Sequence, residues 1–167
     1  MPLTSMPTYD DAVALPAYNA MTVPPEFEDR NGHMNIAHYL TVASWGVEYA
    51  MQAAGVAPDW HETEKLGFFT AEHHIVYLRE VHVGSEVSVR VRYVGRSARA
   101  LHLQAFLLDD TNRVVAYVLE VMAVHIDFRT RRTSVWPDGL GATLDGLVAE
   151  HETLPWPAPL SGSLALR

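Results

Sequence analysis

One long apolar stripe constrains this chain more than any other feature. From Ile36 onward, Tyr39, Leu40, Ala43, Val47, Ala50, Met51 and Ala54 recur at steps of three and four residues, the repeat of a helix buried along one face. Asn35 suits the start, because its side-chain oxygen can accept a bond from an unpaired helix amide, and Gly55 with Pro58 signals the stop. Beyond that stop the chain turns β in character. Phe68–Glu80, Glu86–Val94, Ala100–Leu108 and Val114–Phe128 read as strands, separated by turn residues such as Gly84, Ser85, Asp109, Asp110 and Asn112. In the second of these, Val87, Val89, Val91 and Tyr93 alternate with Ser88, Arg90 and Arg92, as in a strand with one wet face. The four are expected to form an antiparallel meander. Another strand is expected near Ala20–Phe27, confined by Pro24 and Pro25 to an edge or a short segment.

A single helix cannot bury its stripe alone, and a five-stranded antiparallel sheet must cover one face. The economical α+β solution curls the sheet around one long central helix; an ordinary α+β sandwich is the alternative. With 167 residues and 49% hydrophobic composition, one domain is expected, over residues 18–152. Residues 1–17 read as a loose N-terminal arm. Residues 153–167 read as a tail broken by Pro155, Pro157, Pro159 and Gly162, from which Trp156 and several leucines could dock. A net charge of -8 argues against nonspecific nucleic-acid binding. The absence of cysteine excludes disulfides, a thiol nucleophile and thiolate metal sites, and suits a reducing compartment. No apolar run approaches the roughly 20 residues of a membrane span, and the start lacks a basic segment followed by an apolar one. A soluble, cytoplasmic protein without a membrane partner is expected.

The segment Glu26-Phe27-Glu28-Asp29-Arg30-Asn31-Gly32-His33-Met34-Asn35 joins a strand to the helix start. Unpaired amides and the partial positive charge at such a start can stabilise the oxygen of a carbonyl under attack. Gly32 lets backbone approach closely, and Asp29 can stand on the other side of that carbonyl as nucleophile or as the base that activates water. Turn chemistry and a helix cap account for the same residues without catalysis.

This segment resembles the 4-hydroxybenzoyl-CoA thioesterase-like branch of the hotdog superfamily, whose motif Asp-x-x-Gly-His-hydrophobic-Asn runs into a helix. Here it stands as Asp29-Arg30-Asn31-Gly32-His33-Met34-Asn35, with Tyr39 following. Phe69 to Glu80, then Gly84, also resembles that branch's second strand, so the likeness runs from about Val23 to Asp127. It implies the hotdog fold and hydrolysis of an acyl-CoA thioester, with Asp29 as the active carboxylate and the amides around Gly32 to Met34 binding the oxyanion. His33 and Asn35 would be supporting residues. A hydratase or dehydratase on the same fold, and a noncatalytic acyl-CoA-binding protein, are the competing readings.

Within the branch, Asn31-Gly32-His33-Met34, the run from Glu72 to Glu80, Leu101-His102 and Val124-His125-Ile126-Asp127 are most similar to thioesterases acting on betainyl-CoA. A trimethylammonium group is attracted to aromatic faces and carboxylates, which Trp45, Trp60, Tyr77, Glu48 and Glu72 can supply. Met34 and His74 complete the expected substrate-binding set. Trp45 stands where that subgroup has an acidic residue, which leaves another small to medium acyl group open. Glu48, on the helix, is the second candidate for catalysis. Arg129, Arg131 and Arg132 are candidates for the CoA phosphates. No metal site is expected: adjacent His73 and His74 face opposite ways, and His33 and His38 do not share a helix face. No cofactor beyond the CoA substrate is implied. Exposed sheet edges call for association, and the resemblance implies a homodimer or homotetramer with partner residues completing each pocket.

Overall fold

A computed structural model describes residues 6–166 of the chain. In order these form α1 (Tyr9–Val13), β1 (Ala17–Thr22), α2 (Ile36–Ala53), α3 (Trp60–Thr63), β2 (Leu66–Tyr77), β3 (Glu86–Arg96), β4 (Ala100–Asp109), β5 (Val114–Asp127), β6 (Arg132–Thr133) and α4 (Asp138–Glu152). Asn35 caps α2 as its sequence position suggests, its side chain accepting from the Ala37 N–H. Gly55 follows the helix at φ +109°, a conformation that glycine adopts without strain.

The sheet is antiparallel, in the order β1-β3-β4-β5-β2, with β6 extending it beside β5. Only β3, β4 and β5 make the expected meander. β2 lies on the far side of β5 from β4, and the connection 78–85 carries the chain from there to β3. β1 and β2 are therefore the two edges, and α2 lies between them against β1, β3, β4 and β5. The strand expected at Ala20–Phe27 starts and ends earlier, because Pro24 and Pro25 offer no ladder amide. Pro25–Phe27 forms a 3-10 turn instead.

α2 buries Tyr39, Val42, Ala43, Val47, Ala50 and Met51 against Val87, Val89, Val91, Leu103, Leu119 and Val121. Gly46 permits this approach: a Cβ there would stand 2.2 Å from a methyl of Val89. A bulge between Thr70 and Glu72 resets the alternation of β2, so Phe68, Thr70 and His73 all face α2.

The opposite face of the sheet is covered by the chain's own ends. Ala12 and Leu15 from the α1 segment pack with Phe106, Leu108, Val115, Val118 and Trp156. So the arm expected to be loose is docked over its described part, and β1 begins within it; residues 1–5 lie outside the described residues. The tail is held by polar groups. The Arg92 guanidinium donates to the carbonyls of Trp156 and His151 and lies 4.3 Å from the Trp156 ring. Gln104 donates to the Pro159 carbonyl, and the Glu120 carboxylate accepts from the Ser161 N–H and meets His102 at 2.8 Å. α4 is an element the sequence reading lacks, since Gly139, Gly141 and Gly146 weaken its helical signal. It packs Leu140, Leu144 and Leu147 into the main core.

Candidate active site

The motif folds into a tight loop closed on Asp29. Phe27 and Asp29 flank a bridge between Glu28 and Met34: the Asn35 N–H donates to the Phe27 carbonyl, and the Asp29 N–H to that of His33. The Gly32 N–H returns to the Asp29 carbonyl at 3.0 Å, and Gly32, at φ +81°, then turns the chain back so that the His33 carbonyl can meet the Asp29 N–H. The half-buried carboxylate is oriented at both oxygens. Asn31 N–H donates to Oδ1 at 2.8 Å, and the Asn35 side-chain amide donates to Oδ2 at 3.3 Å.

The amides expected around Gly32 to Met34 have different fates. Gly32 N–H closes the loop and Met34 N–H donates to the Val81 carbonyl at 2.8 Å. The His33 N–H, and the Ile36 N–H that opens α2, find no partner among the described residues. The loop therefore presents one oriented carboxylate together with these free amides, the Ile36 N–H at the positive end of a long helix.

A cleft of about 250 Å³ opens at the two residues that carry these amides, lined by His33, Met34, Ile36, Tyr39, Tyr77 and the segment Leu78–Glu80; Asp29 itself is not among its lining residues. Its walls are aromatic. Tyr77 meets Tyr39 edge to face at 5.4 Å and Tyr117 at 5.1 Å, and its hydroxyl donates to the Ile36 carbonyl. The Tyr117 hydroxyl is buried without a partner among the described residues, and burial raises its pKa. His33 is half-buried, its Nδ1 3.3 Å from the Met34 carbonyl and its Nε2 4.0 Å from the Glu80 carboxylate.

Of the other residues singled out in the sequence, Met34 and Tyr77 reach this cleft. Glu48 lines two further cavities of about 150 Å³ between α2 and β2, one with Ser44, Thr70 and His73, the other with Trp60 and Phe68. Trp45 stands exposed on α2. Glu72 and His74 pair with Met122 and Glu120 on the sheet face turned away from α2, so within one chain they belong to none of these cavities. The cause is the bulge at Ala71: strict alternation from Phe68 would bring Glu72 and His74 inward, whereas the bulge brings His73. His73 stays exposed at the mouth of the cavity it lines with Glu48, and partial desolvation there holds its pKa below the ordinary value. Glu80 is an unanticipated cleft residue, and only its place in the expected second strand hinted at it.

Arg129, Arg131 and Arg132 lie at the other end of β2. Leu66 pairs with Asp127 there, whereas Tyr77 pairs with Tyr117 beside the cleft. Twelve residues of strand put the two ends about 36 Å apart. Arg129 donates to the Glu64 carbonyl and lies 3.8 Å from Asp127, while Arg131 and Arg132 are exposed.

An oriented carboxylate a few residues from free amides at a helix start, beside a sheet wrapped on that helix, is an arrangement that suits attack on a thioester carbonyl. The model of the thioesterase-like superfamily matches residues 23–144. The chain belongs to the thioesterase-like superfamily. This hotdog-fold thioesterase is a thioester hydrolase, 30% identical to the betainyl-CoA thioesterase of Pseudomonas aeruginosa over 80% of this chain and 84% of that protein. It is 32% identical to the L-carnitine dehydrogenase/betainyl-CoA thioesterase of Agrobacterium fabrum, over 74% of this chain and 25% of that longer protein. The Staphylococcus aureus protein SAV2348, solved in complex with CoA, superposes with a TM-score of 0.80 at 25% identity, covering 98% of this chain and 99% of that one. That likeness extends into the terminal segments that close the outer face of the sheet. No helix among the described residues is long and apolar enough to cross a membrane.

Proposed function

We propose that this thioesterase cleaves the CoA ester of a small acyl group bearing a trimethylammonium head, betainyl-CoA being the reference substrate, with Asp29 as the active carboxylate. The observation that carries the reading is the Asp29 carboxylate, held at both oxygens beside the free His33 and Ile36 amides. Asp29 attacks the carbonyl directly or through a water, while the amides take the developing negative charge. The thiolate leaves without a separate acid, so the reading calls on no cofactor beyond the substrate. Tyr39, Tyr77 and Glu80 line the adjoining cleft, and aromatic faces with a carboxylate attract a desolvated cation. Of the relatives, the one 30% identical is a betainyl-CoA thioesterase by name and the one 32% identical an L-carnitine dehydrogenase/betainyl-CoA thioesterase.

The working unit is proposed to be a cytoplasmic homodimer, or a homotetramer built from it. β2 is an edge strand whose unpaired backbone needs covering, and Trp45, Tyr49, Phe69 and Tyr77 are exposed on it and on α2. Two copies related by a two-fold axis would pair β2 antiparallel. That pairing brings the Leu66 end of one chain, with Glu48 and Arg129–Arg132 nearby, to the Asp29 end of the other, where those arginines can reach the CoA phosphates.

A thiol-release assay tests the reading on trimethylammonioacetyl-CoA, its neutral carbon isostere 3,3-dimethylbutanoyl-CoA, benzoyl-CoA and short straight-chain esters. The cationic ester is expected to have the highest kcat/KM, and Asp29→Asn to lower kcat by about 100-fold or more. A preference for the neutral isostere overturns the substrate assignment. Full activity of Asp29→Asn with an inactive Glu48→Gln moves the chemistry to the helix.

A further inference from the structure

We infer that His82 is a positioning residue for the reaction: by holding the Gly32 carbonyl it points the His33 N–H at the substrate oxygen. This rests on the reading of Asp29 and its facing amides as the active centre. The Gly32 carbonyl and the His33 N–H belong to one peptide unit, which is planar and trans, so fixing the direction of the oxygen fixes the amide hydrogen the opposite way. Glycine is the residue after which such a unit turns over most easily, because Gly32 at φ +81° lacks the Cβ that would restrict it. Nothing within the loop itself holds this carbonyl. Its partner is the Nδ1 of His82, 3.1 Å away on the connection between β2 and β3. A carbonyl only accepts, so Nδ1 carries the proton and donates.

That connection is itself anchored to the helix and to the loop. The Tyr39 hydroxyl, on the first turns of α2, accepts from the Val81 N–H at 2.9 Å and donates to the Arg79 carbonyl at 3.3 Å. The Val81 carbonyl accepts the Met34 N–H, and Glu80 lies 4.0 Å from His33. Arg79 to His82 thus register the motif loop against the start of α2, and the His82 bond is the part that sets the peptide bearing the free amide. The Ile36 N–H needs no such device, since its peptide unit is held by the Asn35 carbonyl accepting from the His38 N–H.

His82 is exposed, so it can be replaced without disturbing the core. His82→Leu removes the donor, and His82→Gln supplies an amide N–H in its place. With the best ester of the panel, His82→Leu is expected to lower kcat about tenfold with KM and Tm unchanged, a fraction of the loss seen when an oxyanion donor is removed outright. His82→Gln is expected to recover most of it. A wild-type kcat in His82→Leu overturns the inference, as does an impaired His82→Leu that His82→Gln fails to rescue. If Asp29→Asn is inactive while His82→Leu is unimpaired, only the role of His82 falls. If Asp29→Asn is fully active, the reading of the centre falls first.

Discussion

Asn35 ties the catalytic candidate to the helix that would serve it: its side-chain nitrogen donates to Asp29 Oδ2 at 3.3 Å while its side-chain oxygen accepts the Ala37 N–H at 3.0 Å. One amide group therefore orients the carboxylate and caps α2. The two functions can be separated. Asn35→Asp keeps an oxygen for the cap and loses the donor, so stability is expected to stay within about 0.5 kcal/mol. Activity should fall about 10- to 100-fold, in line with a lost bond to a charged group. Thermal denaturation alongside kcat measurement checks both. An equally active Asn35→Asp would leave Asn35 as a cap alone.

The helix sits where it does because Gly46 lets it. Gly46→Ala is expected to cost about 1–3 kcal/mol by overpacking against Val89. Combining it with Val89→Ala should cost less than the sum of the two single changes, since the second makes room for the first. Urea denaturation of the four proteins measures the coupling, and strict additivity would contradict the contact.

Acid should weaken the fold in two stages. Burial depresses the pKa values of His125 and His151, although the Ser134 carbonyl, accepting from the His125 ring, works the other way. The folded state therefore binds fewer protons than the unfolded one, and stability present above the ordinary histidine value of 6.5 is lost as pH falls through it. Glu120 adds the second stage. Burial pushes its pKa up, but the bonds from His102 and Ser161 outweigh this and hold it below the ordinary 4.5. Its contribution is complete above that value and is lost as pH drops through the lower folded value. Unfolding free energies measured between pH 7.5 and 3.5 should decline throughout; a maximum near pH 5 would contradict both assignments.

The tail is part of the fold. Trp156 is 7% exposed, stacks under Arg92 and meets Phe106 edge to face at 5.6 Å. Trp156→Ala is expected to cost about 3–5 kcal/mol, as for other large buried aromatics, although the residue is far from Asp29 in the architecture. Hydrogen exchange should show faster amides on the outer-face strands in this variant. Unchanged protection would mean that the tail only rests on the surface.

Mixing chains tests the proposed pairing. If Arg131 and Arg132 act on the partner's thioester site, Asp29→Asn chains refolded together with Arg131→Ala/Arg132→Ala chains regain activity at substrate concentrations well below KM. One site in each mixed dimer then carries neither defect. No recovery would place the arginines in service of their own chain or of none.

Much of this was legible because it is local. The stripe from Ile36 to Ala54, the cap at Asn35, the stop at Gly55 and the cluster Asp29-x-x-Gly32-His33 depend on residues a few positions apart, where periodicity and turn chemistry act directly. The features that escaped were set by contacts remote in sequence. The placement of β2 beyond β5 comes from wrapping a sheet around the helix, and the docking of α1 and the tail comes from an outer sheet face that has to be covered. A single bulge at Ala71 then decided that His73 rather than His74 faces α2.

The amino-acid sequence alone determined the central helix, four of the strands and the segment bearing the candidate carboxylate Asp29, because backbone propensity and apolar spacing act over one or two turns. Only the tertiary structure decided which amides remain free. Val81 takes the Met34 N–H and His82 holds the Gly32 carbonyl from nearly fifty residues away in the chain. Hydrogen-bond partners at that separation are chosen by packing, which no local pattern records.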